Sequence, residues 1–133
     1  MNPANALMKA VYETLLGDVA LTALLGAGRI HDDPPRAAEP PFCVIAATSL
    51  TPQGANPRAD EHSFEIVFWS GMRGRRQAIA MADAARRALE TKPVLAPPHT
   101  LANLEFVSWR IGRDAQTGWY RADVRYRAVT ETA

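Results

Sequence analysis

EHSFEIVFWS, residues Glu61–Ser70, is the stretch that decides the fold. Phe64, Ile66 and Phe68 alternate onto one face, while Val67 and Trp69 point the other way. A strand with apolar groups on both faces needs neighbours in a sheet and a cover on at least one side. Just downstream, Gly71 and Gly74 break the pattern. Arg75 to Thr91 then reads as one long helix, with Ala78, Ala82, Ala85 and Leu89 in a narrow small-residue stripe beside Ile79 and Met81. Such a stripe lets a helix lie close to a sheet. Lys92-Pro93 and Pro97-Pro98 end it.

Upstream, Phe42 to Thr48 (FCVIAAT) reads as a second strand, apolar on both faces. Two proline pairs, Pro34-Pro35 and Pro40-Pro41, deny helix to the segment before it. Ser49 to Asp60 holds Pro52, Gly54, Asn56 and Pro57 and almost no apolar anchor, so a mobile loop is expected over 49–60. Further downstream, Leu104 to Arg113 and Trp119 to Thr130 read as a hairpin around Asp114–Gly118. Pairing Asp114 with Gly118 sets Ile111, Trp109, Val107 and Glu105 opposite Arg121, Asp123, Arg125 and Arg127. This register predicts a Glu105–Arg127 pair and arginine stacking on Trp109.

The N-terminal third is helical. Asn2 caps and Pro3 opens a first helix, and Leu7, Val11 and Leu15 recur along one side. Gly17 stops it, and Asp18 caps a short second helix, Val19 to Leu25. The expected order is ααββαββ, with room for a short extra strand at Arg29–His31. This is an α+β domain, one unit over residues 1–133, with helices on a mostly antiparallel sheet.

A chain of 133 residues with 47 % hydrophobic and 22 % charged residues fits one globular domain. Its net charge of +1 argues against bulk attraction to nucleic acid or an anionic membrane. No apolar run reaches the roughly 18 residues of a membrane span, and the N-terminus lacks the pattern of a secretion signal. Synthesis in a cytoplasm is the expectation. Lys9 and Lys92 are the only lysines among fifteen basic residues. The arginine excess therefore reads as the coding bias of a GC-rich bacterial genome rather than as phosphate recognition.

The chemistry-bearing residues form no constellation. His31-Asp32-Asp33 and Asp60-Glu61-His62 are adjacent in extended chain, where neighbouring side chains diverge, so neither reads as a metal site. Cys43 sits in an apolar strand as an inert thiol, and one cysteine excludes an internal disulfide. His99 lies in a proline-flanked loop without a recognisable partner. No phosphate loop or nucleophile elbow is present. No catalytic residue, cofactor or metal is expected, and the chain reads as a non-enzyme. Two surfaces remain. Trp69, Trp109, Arg121, Arg125 and Arg127 are candidates for a subunit interface or a channel lining. Arg73, Arg75 and Arg76, at the start of a helix whose dipole disfavours cations, are candidates for contact with an acidic partner.

Taken in order, these features resemble the tail-completion or tail-terminator family of long-tailed phages and gene transfer agents. The likeness rests on DVALTALLG (18–26), GRIHDD (28–33), PFCVI (41–45), the strand ending FWS (68–70), the helix to Leu89 and the hairpin ending RYR (125–127). It implies a structural virion protein, a homo-oligomeric, hexameric ring that caps the tail tube and joins it to the head–tail connector or stopper. DNA would pass through its channel without sequence specificity. A small α+β nucleic-acid-binding module, using the Arg/Trp sheet face, is the competing reading.

Overall fold

The computed structural model describes residues 1–133. Helices α1 (Pro3–Leu16) and α2 (Val19–Leu25) come first, then strands β1 (Ile30–His31), β2 (Phe42–Pro52) and β3 (Ala59–Ser70). Helix α3 (Arg76–Ala88) and strands β4 (His99–Arg113) and β5 (Tyr120–Thr132) complete the chain. The five strands form one sheet in the order β1-β2-β3-β5-β4. The α+β class stands, but the sheet is mixed, because β1 runs parallel to β2 while the other three pairings are antiparallel. Helix α3 is also not a long helix. It spans 13 residues, one fewer than α1, and stops at Ala88. No helix is long and apolar enough to cross a membrane.

Local chemistry places the helix starts. The Asn2 side chain accepts the Asn5 N–H at 2.8 Å and the Asp18 side chain accepts the Leu21 N–H at 2.9 Å, each satisfying an otherwise free donor. Helix α3 starts at Arg75 without any side-chain cap. All three helices lie on one face of the sheet. Ala6, Leu7, Ala10, Val11 and Leu15 of α1, Leu21 and Leu25 of α2, and Ala78, Met81, Ala82 and Ala85 of α3 meet Phe64, Ile66, Phe68, Val124 and Tyr126 in a single core. The face expected for Phe64, Ile66 and Phe68 is the covered one.

The loop expected over 49–60 is shorter in the structure. Ser49 to Pro52 extend β2 and pair with Ser63 to Asp60 across a bulge at Thr48, which leaves 53–58 as the connection. Polar strand residues next to a bulge carry no alternation, so composition alone reads as loop there. Gly71 lies against the proline-rich segment. A Cβ at this position would fall 2.9 Å from Pro40 Cγ, so only glycine lets the two chains approach.

The C-terminal hairpin differs from the expected register. Arg113 pairs with Tyr120, so Ile111 faces Ala122 and Trp109 faces Val124. The Asp114 carboxylate accepts the Thr117 N–H at 3.0 Å and the Thr117 hydroxyl at 2.9 Å, which makes 114–119 the connecting loop. One residue of slip turns Trp109 and Ile111 to the helix side, where both pack against the core. A bulge at Val107 then absorbs the slip, and Glu105 opposite Arg127 agrees with the expected register.

Candidate assembly interface

The face of the sheet turned away from the helices carries the arginine row. Alternation in β5 puts Arg121, Asp123, Arg125 and Arg127 there, beside Trp69, Val67, Glu65 and Ser63 of β3. The arginines are engaged by carboxylates of the same chain. Arg121 Nε donates to Asp123 Oδ1 at 2.7 Å, Arg125 Nε to Glu65 Oε1 at 3.0 Å, and Arg127 lies 3.1 Å from Glu61 Oε1. Arg127 thus takes Glu61 rather than the expected Glu105. These exposed pairs contribute little stability, but they cancel the charge of the face. Between them lies a groove of about 420 Å³ lined by Thr48, Ser63, Glu65, Val107, Arg125 and Arg127, among others.

One end of this face is aromatic. Phe42 stacks on Trp69 at 6.3 Å, and Trp119 stands edge-on to both. His31 meets Phe42 edge-on at 6.1 Å, and the Arg121 guanidinium lies 4.8 Å from the Trp69 ring centre. The stacking expected on Trp109 therefore occurs on Trp69. Val67, on the face that alternation points away from Phe64, Ile66 and Phe68, is 8 % exposed within the single chain. The apolar groups left partly open on this face are thus Trp69 and Trp119, whose partner Phe42 is itself buried, and Val107 at the groove. Of the interface candidates, the structure brings Trp69, Arg121, Arg125 and Arg127 onto one face and puts Trp109 on the other, edge-on to Phe106. Trp119 was not a candidate. Its signal was available, since it directly precedes a strand whose next outward residue is Arg121.

The second candidate surface sits at one end of the sheet. Arg73, Arg75 and Arg76 are exposed and rim a shallow groove of about 710 Å³ floored by Leu24, Met72 and Ala80. None of the three has a carboxylate partner within 4 Å, and Arg75 lies 5.4 Å from the Tyr120 ring centre. Met72 is 61 % exposed at its floor.

Two of the three histidines, His62 and His99, and the cysteine are internal. Cys43 is fully buried, and burial pushes its thiol up to about 12, so the thiolate that reactivity needs is scarce. His99, expected in a loop without a partner, is instead the buried first residue of β4. Its Nδ1 lies 3.0 Å from the Thr132 hydroxyl and its Nε2 donates to the Met1 carbonyl at 2.8 Å, which ties down the N-terminus. His62 is buried with Nε2 2.8 Å from the Thr130 hydroxyl. Burial lowers its pKa, and nearby Asp60 offsets part of the shift. No signal in sequence marks these two as core, because the partners lie 33 and 68 residues away.

A depressed histidine pKa has a signed consequence. Native His62 stays neutral while an unfolded histidine protonates below about pH 6.5, so the unfolded state gains protons first and stability falls as pH drops through that value. The melting temperature is expected to fall from pH 7.5 to pH 5, and to fall less in His62→Gln. An equal fall in both proteins would remove His62 as the cause. Asp114, held below the usual carboxylate range by the Thr117 N–H and hydroxyl, acts in a separate window, because its contribution is lost only below about pH 4.

With this geometry in hand, comparison with known proteins is informative. The family model described as tail completion protein gp17 matches residues 9–131. The chain belongs to this tail completion family. Among solved structures, a chain from the virion of a native gene transfer agent particle is similar at 27 % identity. The match covers 96 % of each chain with a TM-score of 0.83. A search of the curated proteins finds no match. The tail completion protein is therefore a structural component of the virion tail, as the sequence resemblance implies.

Proposed function

We propose that this tail completion protein is a non-enzymatic ring component that closes the tail tube and joins it to the head–tail connector or stopper. The ring is a homo-oligomer of six copies, and DNA passes through its channel. The observation that carries the reading is the end-to-end similarity to a chain of an assembled gene transfer agent virion, covering 96 % of both proteins. Three features of the chain support it. The core is complete within one copy, so the surfaces on the open side of the sheet are left for other copies and partners. The arginine row is neutralised by Asp123, Glu65 and Glu61, so a wall built from that face lets DNA slide instead of holding it. The aromatic corner and the Arg73–Arg76 groove adjoin at one end of the sheet, where Arg75 meets Tyr120 beside Trp119, and together give that end an apolar and a cationic surface for a partner.

The purified protein is expected to form rings at high concentration or on the ends of isolated tail tubes, seen by negative-stain microscopy. Short duplex DNA is expected to bind weakly, with no sequence preference, at physiological salt. Monomers alone in the presence of tubes would refute the ring. Tight, sequence-selective DNA binding would favour a nucleic-acid module instead.

A further inference from the structure

The two margins of the sheet are unequal and complementary. Strand β1 pairs only with Cys43 and Val44, so the margin of β2 from Ile45 to Pro52 has no neighbour. Residues 47–52 are also exposed. Open margins are usually blunted by charged side chains. Here no Asp, Glu, Lys or Arg occurs anywhere from Pro40 to Pro57, and Ala46, Ala47, Thr48, Ser49 and Thr51 are small or β-branched. On the other side of the sheet, Lys92 Nζ donates to the Ala102 carbonyl at 3.0 Å and occupies the start of the β4 margin. Beyond it the β4 margin is open to Arg113.

Direction and height also agree. Between β2 and β4 lie three antiparallel pairings, so the two margins run in opposite senses. Repeating the sheet side by side, without turning it over, sets β4 of one copy antiparallel to β2 of the next, the more stable kind of ladder. The single β2 bulge, at Thr48, and the second of the two β4 bulges, at Val107, flank one row of the sheet. Thr48 follows Ala47, which pairs with Phe64, while Val107 follows Phe106, which pairs with Tyr126, itself paired with Phe64. Both residues line the same groove. Because β2 and β4 run in opposite senses, the two extra residues lie on opposite sides of that row. In a closed ring successive copies are not displaced along the axis, so with strands along that axis residues of one row meet, and Ser49, in the row of Ser63 and Arg127, comes opposite Glu105. An uncharged β2 margin also gives Glu105 of β4 no like charge to oppose, unlike a β4–β4 contact.

We infer that copies of this chain join through the backbone, the open β4 margin of one pairing antiparallel with the Ile45–Pro52 margin of the next, so that the ring is one continuous sheet. This inference rests on the ring reading above.

The test is Ser49→Cys combined with Glu105→Cys, two exposed positions of one row at the two margins. Within one chain these positions are separated by three strand spacings, about 14 Å, too far for a disulfide. The buried Cys43 thiol does not compete. Mild oxidation of assembled rings is expected to give a ladder of linked chains up to the full ring with the double variant, and no ladder with either single variant. Amide exchange followed by mass spectrometry is expected to slow at least tenfold in 45–52 and 103–109 on assembly of the unaltered protein. Rings that form without cross-linking and without that protection would overturn the strand joint and leave the ring intact. Dimers from Ser49→Cys alone would assign a two-fold β2–β2 contact instead. A protein that never assembles would overturn the ring reading and the joint with it.

Discussion

Phe64→Ala is expected to lower stability by about 3–5 kcal/mol and the melting temperature by about 10–20 °C. Phe64 is 1 % exposed and lies at the centre of the core. Its ring stacks on Tyr126 at 5.3 Å with the planes 8° apart, and Tyr126 touches Phe106 edge-on. Truncation removes the middle of this row and leaves a cavity that three rigid strands cannot close. Tyr126 would suffer most. It is buried, its hydroxyl has no hydrogen-bond partner, and burial has already pushed that hydroxyl up to about 12. Packing against Phe64 and Phe106 is what holds it in place. Against a typical total of about 5–15 kcal/mol, the loss brings the chain close to unfolding. Urea denaturation measures it, with Val107→Ala, at an exposed bulge, as the control expected within about 0.5 kcal/mol. A loss below about 1 kcal/mol for Phe64→Ala would show that the sheet and helices do not depend on this contact.

That row was legible in sequence because it follows a period of two without interruption. Phe64, Ile66 and Phe68, and Tyr126, Val124 and Ala122 opposite them, all sit on the face that alternation assigns. What alternation cannot show is an extra residue. The bulges at Thr48, Ala102 and Val107 leave no compositional mark, yet each moves the chain beyond it by one place. Trp109 is the case in point. Counting back from an assumed Asp114–Gly118 closure put it among the arginines, whereas the side-chain hydrogen bonds of Asp114 lengthen the turn and carry it to the core side. Glu105 was placed opposite Arg127 correctly because the Val107 bulge restores the count. The arginine row was assigned to the right face for a simpler reason, since it lies within one strand and needs no partner's register. Its neutralisation was not legible, because Glu61 and Glu65 come from β3, 60 or more residues away.

Helix α3 shows where the same physics separates stability from function. Arg73, Arg75 and Arg76 crowd the positive end of its dipole, no acidic residue occupies its first turn, and no side chain caps it. Each cation there is unfavourable by about 0.3–1 kcal/mol, and a carboxylate would be favourable by a similar amount. Reversing all three, Arg73→Glu, Arg75→Glu and Arg76→Glu, is therefore expected to leave the fold intact and to raise the melting temperature, with Arg75 losing only its approach to Tyr120. Attachment to the tail is expected to move the other way. If the Leu24–Met72–Ala80 groove receives an acidic partner surface, three reversed charges convert attraction into like-charge repulsion at its rim. Co-sedimentation with isolated tail tubes and with connector-bearing heads should then drop at least tenfold for one of the two. The native interaction should also weaken as salt shortens the screening length. Arg58→Glu, in the loop at the opposite end of the sheet, should change neither quantity. Opposite signs for stability and attachment are the decisive result. A variant that attaches normally would remove the groove from the partner contacts, and one that unfolds would make its cations structural.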